Sequence, residues 1–224
     1  MAVLAASALA IGGLKFVHSA VRHIRTLRTA HQQVAQLPVV GDLCVVDSPR
    51  PDAYALPGRP HRIVVTAGML RSLGATEREA LFAHARAHNA QRHYYFLVAA
   101  EIAAHCHPAL RRLRSDIRLA AELAADEAAA VGDRKLVAVA VARAALASHD
   151  AGPTPRPYLT LGATTGPVSR RVATLLKPSA VSGRLPRFLA LVVALAVLVS
   201  AGATLAAAMH LHHEVGEAQG VVPR

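Results

Sequence analysis

His84 and His88 stand four residues apart in the stretch Thr-Glu-Arg-Glu-Ala-Leu-Phe-Ala-His-Ala-Arg-Ala-His-Asn-Ala-Gln-Arg-His, which runs from Thr76 to His93. On a helix that spacing projects both imidazoles from one face, where they can hold one metal ion. Where such a helix also activates a water molecule, a glutamate directly follows the first histidine and takes the proton. Here that position is Ala85. The binding half of the pattern is present, and the residue that does the chemistry is missing. With 13 histidines in 224 residues one such pair is weak evidence by itself, and two histidines on a partly buried helix face is the plainer alternative.

A second constellation lies downstream. Glu122 and Asp126 are again four apart, among Leu119, Leu123 and many alanines, on a helix predicted over 109–130. Alanine flanks let a helix approach a neighbour closely, while two acids on one face are costly to bury without a partner. A zinc ion held by His84 and His88 would be that partner for Glu122, and Asp126, one turn on, could accept the free N–H of a ligating imidazole. The alternative is two exposed acids on a solvated helix beside Arg111, Arg112 and Arg114; the histidine pair shifts the reading to a metal site. His105-Cys106-His107-Pro108 has a metal-like composition, but its i, i+2 spacing points the two rings apart, so it reads as a helix terminus stopped by proline. Cys44 and Cys106 suit neither a zinc clip nor a disulfide framework and read as reduced thiols.

The elements that must carry these residues follow from local signals. Thr76 with Glu79 three residues on reads as a capping box that starts the histidine helix, just after Gly74 ends the previous segment. That helix is predicted to continue past Tyr94 and Tyr95 to about Ala104. Leu43–Val46 and Arg62–Thr66 are β-branched runs that read as strands, and proline-punctuated Pro51–Pro60 suits an edge strand and turn. A short helix is expected over Ala67–Leu73, a longer one over Arg134–Ser148, and a short basic one over Ser169–Lys177, ended by Pro178. Gly152–Pro157 reads as a stiff linker. The fold class is mainly α with a small β-sheet (α+β), which agrees with 53% hydrophobic residues, only 4% aromatics and heavy use of alanine.

The formal net charge is +11, which brings anionic partners into consideration. Nucleic acid is disfavoured, because aromatics and any recognisable nucleic-acid motif are lacking. A lipid bilayer fits better. Residues 1–21 are almost wholly apolar apart from Lys15 and His18, and read as an N-terminal membrane helix; residues 22–36, with Arg22, Arg25 and Arg28, read as a basic helix leaving the membrane. A central domain spans 37–150, a proline-rich linker and short basic helix 151–186, and a second membrane helix 187–210, of which the 22 residues from Phe188 to Met209 carry no charge. A tail, 211–224, follows. Of the 25 lysines and arginines all but Lys15 and Arg224 lie between Arg22 and Arg187, so the positive-inside rule places the central domain in the cytoplasm, at the plasma membrane.

Four motifs, Pro51-Asp52-Ala53-Tyr54-Ala55, Arg62–Leu70, Glu79–His88 and Glu122-Leu123-Ala124-Ala125-Asp126, resemble in order and spacing the integral-membrane zinc metallopeptidases. These are the BlaR-type sensor-transducer proteases and their HtpX-like and Ste24-like gluzincin relatives, and the likeness covers roughly residues 40–180. The resemblance implies a gluzincin-like peptidase domain between transmembrane helices, with one Zn2+ held by His84, His88 and Glu122. Asp126 would support a ligand. It implies that Asp52, Ala53, Tyr54 and Ala55 form an edge strand pairing with the backbone of a protein or peptide substrate. Arg171, in an Arg-Val-x-x-Leu-Leu context, resembles the family's late arginine near the site.

The chain departs from the family in two places. Ala85 replaces the general-base glutamate, which implies an inactive or nearly inactive enzyme; a single-base change in an otherwise undamaged site suits an inactivating substitution or a recent loss. BlaR-type relatives also carry more membrane helices ahead of the domain, so the first apolar segment reads as the last of a truncated set. A non-catalytic, zinc-binding membrane module for signalling or interaction is the alternative. A basic membrane-surface protein binding anionic lipid or nucleic acid is the third.

Overall fold

The structure is a computed structural model that describes residues 2–106, 110–150 and 167–177, with side chains from residue 13 onward. All of them fall in the first of two compact units, Met1–Ser179; the second, Ala180–Arg224, lies outside the described residues. In chain order the elements are α1 (Ala2–Ala35), β1 (Val39–Val40), β2 (Leu43–Val46), β3 (Ala53–Leu56), β4 (Arg62–Thr66), α2 (Ala67–Ser72), α3 (Ala75–Ala90), α4 (His93–Cys106), α5 (Arg111–Ala129), α6 (Arg134–Asp150) and α7 (Val168–Leu175). The class is therefore mainly helical with one small sheet.

The sheet has the order β1-β2-β4-β3. β2 and β4 run parallel, with Cys44 opposite Val64, and β3 lies antiparallel to β4, with Ala53 opposite Val65. β4 is central, so its side chains meet apolar neighbours on both faces, and Ile63-Val64-Val65 is the unbroken β-branched run that such a position selects. Val64 joins Ala30, Val34, Cys44 and Leu56 in a core under α1. On the opposite face Val65 joins Ala53, Met69, Leu73, Leu81 and Ala144, contributed by β3 and the helices α2, α3 and α6. The strand expected between Pro51 and Pro60 is β3, and it is outermost in the sheet, a place that suits a strand flanked by Pro51 and Pro57. Two-residue β1 leaves too short a trace in the sequence to read.

Thr66 ends β4 and caps α2. Its Oγ1 accepts from the Met69 N–H (3.2 Å) and from the Asp52 N–H (2.9 Å), and donates to the Arg50 carbonyl (2.8 Å). One hydroxyl thus ties the start of β3 to the start of α2. Gly68 permits this closeness: its N–H donates to Ser48 O at 2.8 Å, and a Cβ built on it would lie 2.1 Å from the Pro49 carbonyl oxygen. The obstruction is backbone, which cannot swing aside. Gly68→Ala should therefore lower stability by about 1–3 kcal/mol in denaturant titration, and an unchanged midpoint would mean that the 48–52 segment is free to move.

The histidine helix differs from expectation at both ends. It starts two residues early, with Gly74 as the N-cap; the Glu77 carboxylate accepts from the Gly74 N–H at 2.9 Å, in place of the Thr76–Glu79 pairing. The sequence offers a glutamate three residues after each candidate, and the earlier one wins because Glu77 also pairs with Arg143 Nη1 at 2.8 Å on α6. At the other end the helix does not continue to Ala104. It stops at Ala90, turns through Gln91 and Arg92, and restarts as α4 at His93. Arg92 takes the left-handed conformation (φ 56°) that produces the break. No glycine or proline marks this turn, so periodicity alone reads through it.

The apolar segment 1–21 and the basic stretch 22–36 lie on one helix, α1, which runs unbroken from Ala2 to Ala35. Among the described residues no helix is long and apolar enough to cross a membrane. The expected span 187–210, the linker 152–157 and the tail 211–224 lie outside the described residues, as do the side chains of His105, Cys106, His107 and Pro108. The α4 helix ends at Cys106, where a terminus was expected. Cys44 is buried and free.

Candidate metal centre

Two helices bring the four candidate residues together. α3 packs on α5, α6 and the sheet, and is fastened at its C-terminal half by Arg86, which donates twice to Asp42 (2.8 Å each), and by Asn89, which donates to the Arg62 carbonyl (3.2 Å). These ties fix the rotation of α3, so His84 and His88 both face α5. Across from them α5 presents Glu122 and Asp126 between buried Ala121 and Ala125, whose small side chains let the helices close up. His84, His88, Glu122 and Asp126 are all at least 97% buried.

The imidazole Nε2 atoms of His84 and His88 are 3.0 Å apart, and Glu122 Oε2 lies 3.5 Å from the first and 3.8 Å from the second. These three groups form a set that could hold one ion. Asp126 Oδ1 sits 2.9 Å from His84 Nδ1, off the ideal hydrogen-bond direction but close enough to favour a proton on that nitrogen. With Nδ1 protonated, His84 Nε2 offers a lone pair toward two other lone-pair atoms, a crowding that a cation relieves. Two nitrogens on a tetrahedral zinc sit about 3.3 Å apart, near the spacing found here. The donor set fits the metal.

Arg171, on α7, completes the centre. It is wholly buried, and its guanidinium grips Asp126 with two hydrogen bonds (Nε to Oδ2 2.8 Å, Nη2 to Oδ1 2.6 Å) while Nη1 lies 3.1 Å from Glu122 Oε2. α7 itself is held by Arg134, which donates to the carbonyls of Leu175 (2.9 Å) and Thr174 (3.2 Å) and pairs with Glu127. Resemblance alone had pointed to Arg171.

Charge within the centre is mutually arranged. Burial opposes ionisation of Glu122, but the adjoining imidazoles of His84 and His88 and the charge of Arg171 outweigh it and hold the carboxyl well below the usual range. Asp126 is desolvated too, and Arg171 and His84 hold it low. His84 is pushed down by burial and pulled up more strongly by Asp126 and Glu122, with a net rise. For His88 burial prevails and the net shift is downward. Both carboxylates thus have folded pKa values below their unfolded ones. In metal-free protein the stability they contribute is present above the ordinary carboxylate value and drains away as pH falls through the folded values. The urea midpoint of chelator-treated protein should accordingly drop between about pH 5 and pH 2, whereas a flat profile would mean that the fold lowers neither acid's pKa, and a midpoint rising as pH falls that both are held neutral.

Ala85 is buried on α3 beside His84, and its methyl group can accept no proton. Asp52, Ala53 and Ala55 are buried and Tyr54 half-buried at and beside β3, which packs against α3, so the outermost strand and the histidine helix are neighbours. One residue of the centre carries no signal in the sequence reading. His93, the first residue of α4, is buried with Nδ1 2.8 Å from His88 Nδ1; burial and the adjoining His88 push it down to about 4. Its position nine after His84 means nothing until the turn at Arg92 is known.

Residues 20–111 match the family described as Peptidase family M48. The match includes His84, Ala85 and His88 and stops short of Glu122, Asp126 and Arg171, which the fold adds independently. No curated protein matches the chain.

Proposed function

We propose that this chain is a membrane-anchored zinc metalloendopeptidase scaffold, with His84, His88 and Glu122 as ligands, Asp126 orienting His84, and Arg171 fixing both acids. The observation that carries the reading is the convergence of two imidazoles from α3 with a carboxylate 34 positions on, inside a segment whose first half matches a metallopeptidase family. Zinc, when bound in such a site, polarises a scissile carbonyl and acidifies a water molecule. The chain's own part is to hold three donors in a dry pocket, keep Glu122 ionised through Arg171, and present β3 as an edge for the backbone of a protein or peptide substrate. A proton acceptor beside His84 is lacking, so the chain as it stands is inactive or nearly so. The uncharged run Phe188–Met209 supports anchoring in the bilayer, and the arginine-rich flanks support a cytoplasmic domain. The finer likeness to BlaR-type sensor-transducer peptidases, and to their HtpX-like and Ste24-like relatives, belongs to the same proposal.

Ala85 equally favours a non-catalytic use of the site, as a zinc-binding signalling or interaction module in the membrane. Metal analysis of the purified protein separates the reading from its rivals: about one zinc per chain is expected, and none would end both forms of the proposal. Cleavage by the Ala85→Glu variant then distinguishes enzyme from module.

A further inference from the structure

His88 touches two things with its two nitrogens. Nε2 faces His84 and Glu122, while Nδ1 lies 2.8 Å from His93 Nδ1. At that distance one nitrogen must donate and the other accept. The choice is made one step further out: His93 Nε2 is 3.1 Å from Gln91 Oε1, and an amide oxygen only accepts. His93 therefore carries its proton on Nε2 and gives it to Gln91, which leaves His93 Nδ1 as a lone pair. His88 must then donate from Nδ1, and its Nε2 is left bare on the side of the three-donor set. The rings of His88 and His93 meet edge-on at 72°, the arrangement an in-plane N–H needs to reach the neighbouring nitrogen.

We infer that Gln91 and His93 form a two-residue relay that fixes the tautomer and orientation of His88, as Asp126 does for His84, and so set the affinity of the site for zinc. This rests on the zinc-site reading above and adds a positioning residue that neither the His-x-x-x-His spacing nor the family match assigns. The turn at Arg92 now has a reason. A helix continued straight from Ala90 would put His93, five positions on from His88, on a different face; the left-handed residue folds α4 back so that the ring returns to the site.

Zinc affinity measured against a competing chelator tests the inference. His93→Phe should weaken zinc binding by about 10- to 100-fold. His93→Asn, whose side-chain oxygen takes the place of Nδ1, should restore affinity to within about threefold of the wild type. Gln91→Leu, at an exposed position where folding is not at risk, should give an intermediate loss. Long-range 1H–15N spectra of the metal-free protein give a separate readout: His88 protonated on Nδ1 and His93 on Nε2, with the His88 pattern changed in His93→Phe. Wild-type zinc affinity in both His93→Phe and Gln91→Leu, or a proton on His88 Nε2 in the wild type, would overturn the relay. If the wild type bound no zinc, the metal-site reading would fail, and the spectra would still decide the relay by themselves.

Discussion

Ala85→Glu, loaded with zinc, should cleave an unstructured protein substrate at least about a hundredfold faster than the unaltered chain, and up to about ten-thousandfold. The reason is local. Glu122 is turned toward the two imidazoles and gripped by Arg171, and Asp126 is engaged by both His84 and Arg171, so neither acid is free to shuttle a proton. A carboxylate introduced at position 85 would enter a site that is 4% exposed. Desolvation would raise its pKa toward neutrality, which is where a general base works best. The same desolvation should make the metal-free variant less stable than the parent and largely restore it when zinc is added, so a paired thermal melt accompanies the activity assay. A variant that binds zinc, folds and cleaves nothing would identify the non-catalytic module as the correct reading.

The second large effect is on stability. Arg171→Met removes a guanidinium that contacts two carboxylates, each at most 1% exposed. Volume is nearly kept, so packing is a small part of the change; the loss comes from leaving buried charge uncompensated. Metal-free protein should lose about 3–5 kcal/mol, read as a lower urea midpoint at unchanged slope. Arg171→Lys keeps the charge but not the two-pronged grip on Asp126, and should fall between. A loss under about 1 kcal/mol for the methionine variant would mean that the acids are protonated or wet, which contradicts the geometry.

What could be read before the fold was known divides along one physical line. His84 with His88, and Glu122 with Asp126, were legible because a four-residue interval fixes a shared face on any α-helix. β2, β4 and the short α2 were legible from β-branched runs and their punctuation. The meeting of the two helix faces was inferred from the energetic discomfort of buried acids. Arg171 came only through likeness to a family, since nothing in Ser169–Lys177 announces a buried guanidinium. His93 was invisible because its place depends on Arg92 adopting a conformation that arginine seldom takes. Gly74 and Thr76 both precede a glutamate at the right interval, and only the Glu77–Arg143 pair across to α6 decides between them.

The centre draws on three stretches of chain, with Arg171 arriving 45 residues after Asp126. Were α3 and α5 to close on each other first, two carboxylates would be stripped of water with only the imidazoles of α3 beside them. Were α7 to dock first, a guanidinium would meet the same fate. Each half-assembled state carries that desolvation cost, so local opening at the polar heart of this protein is expected to release all three helices together.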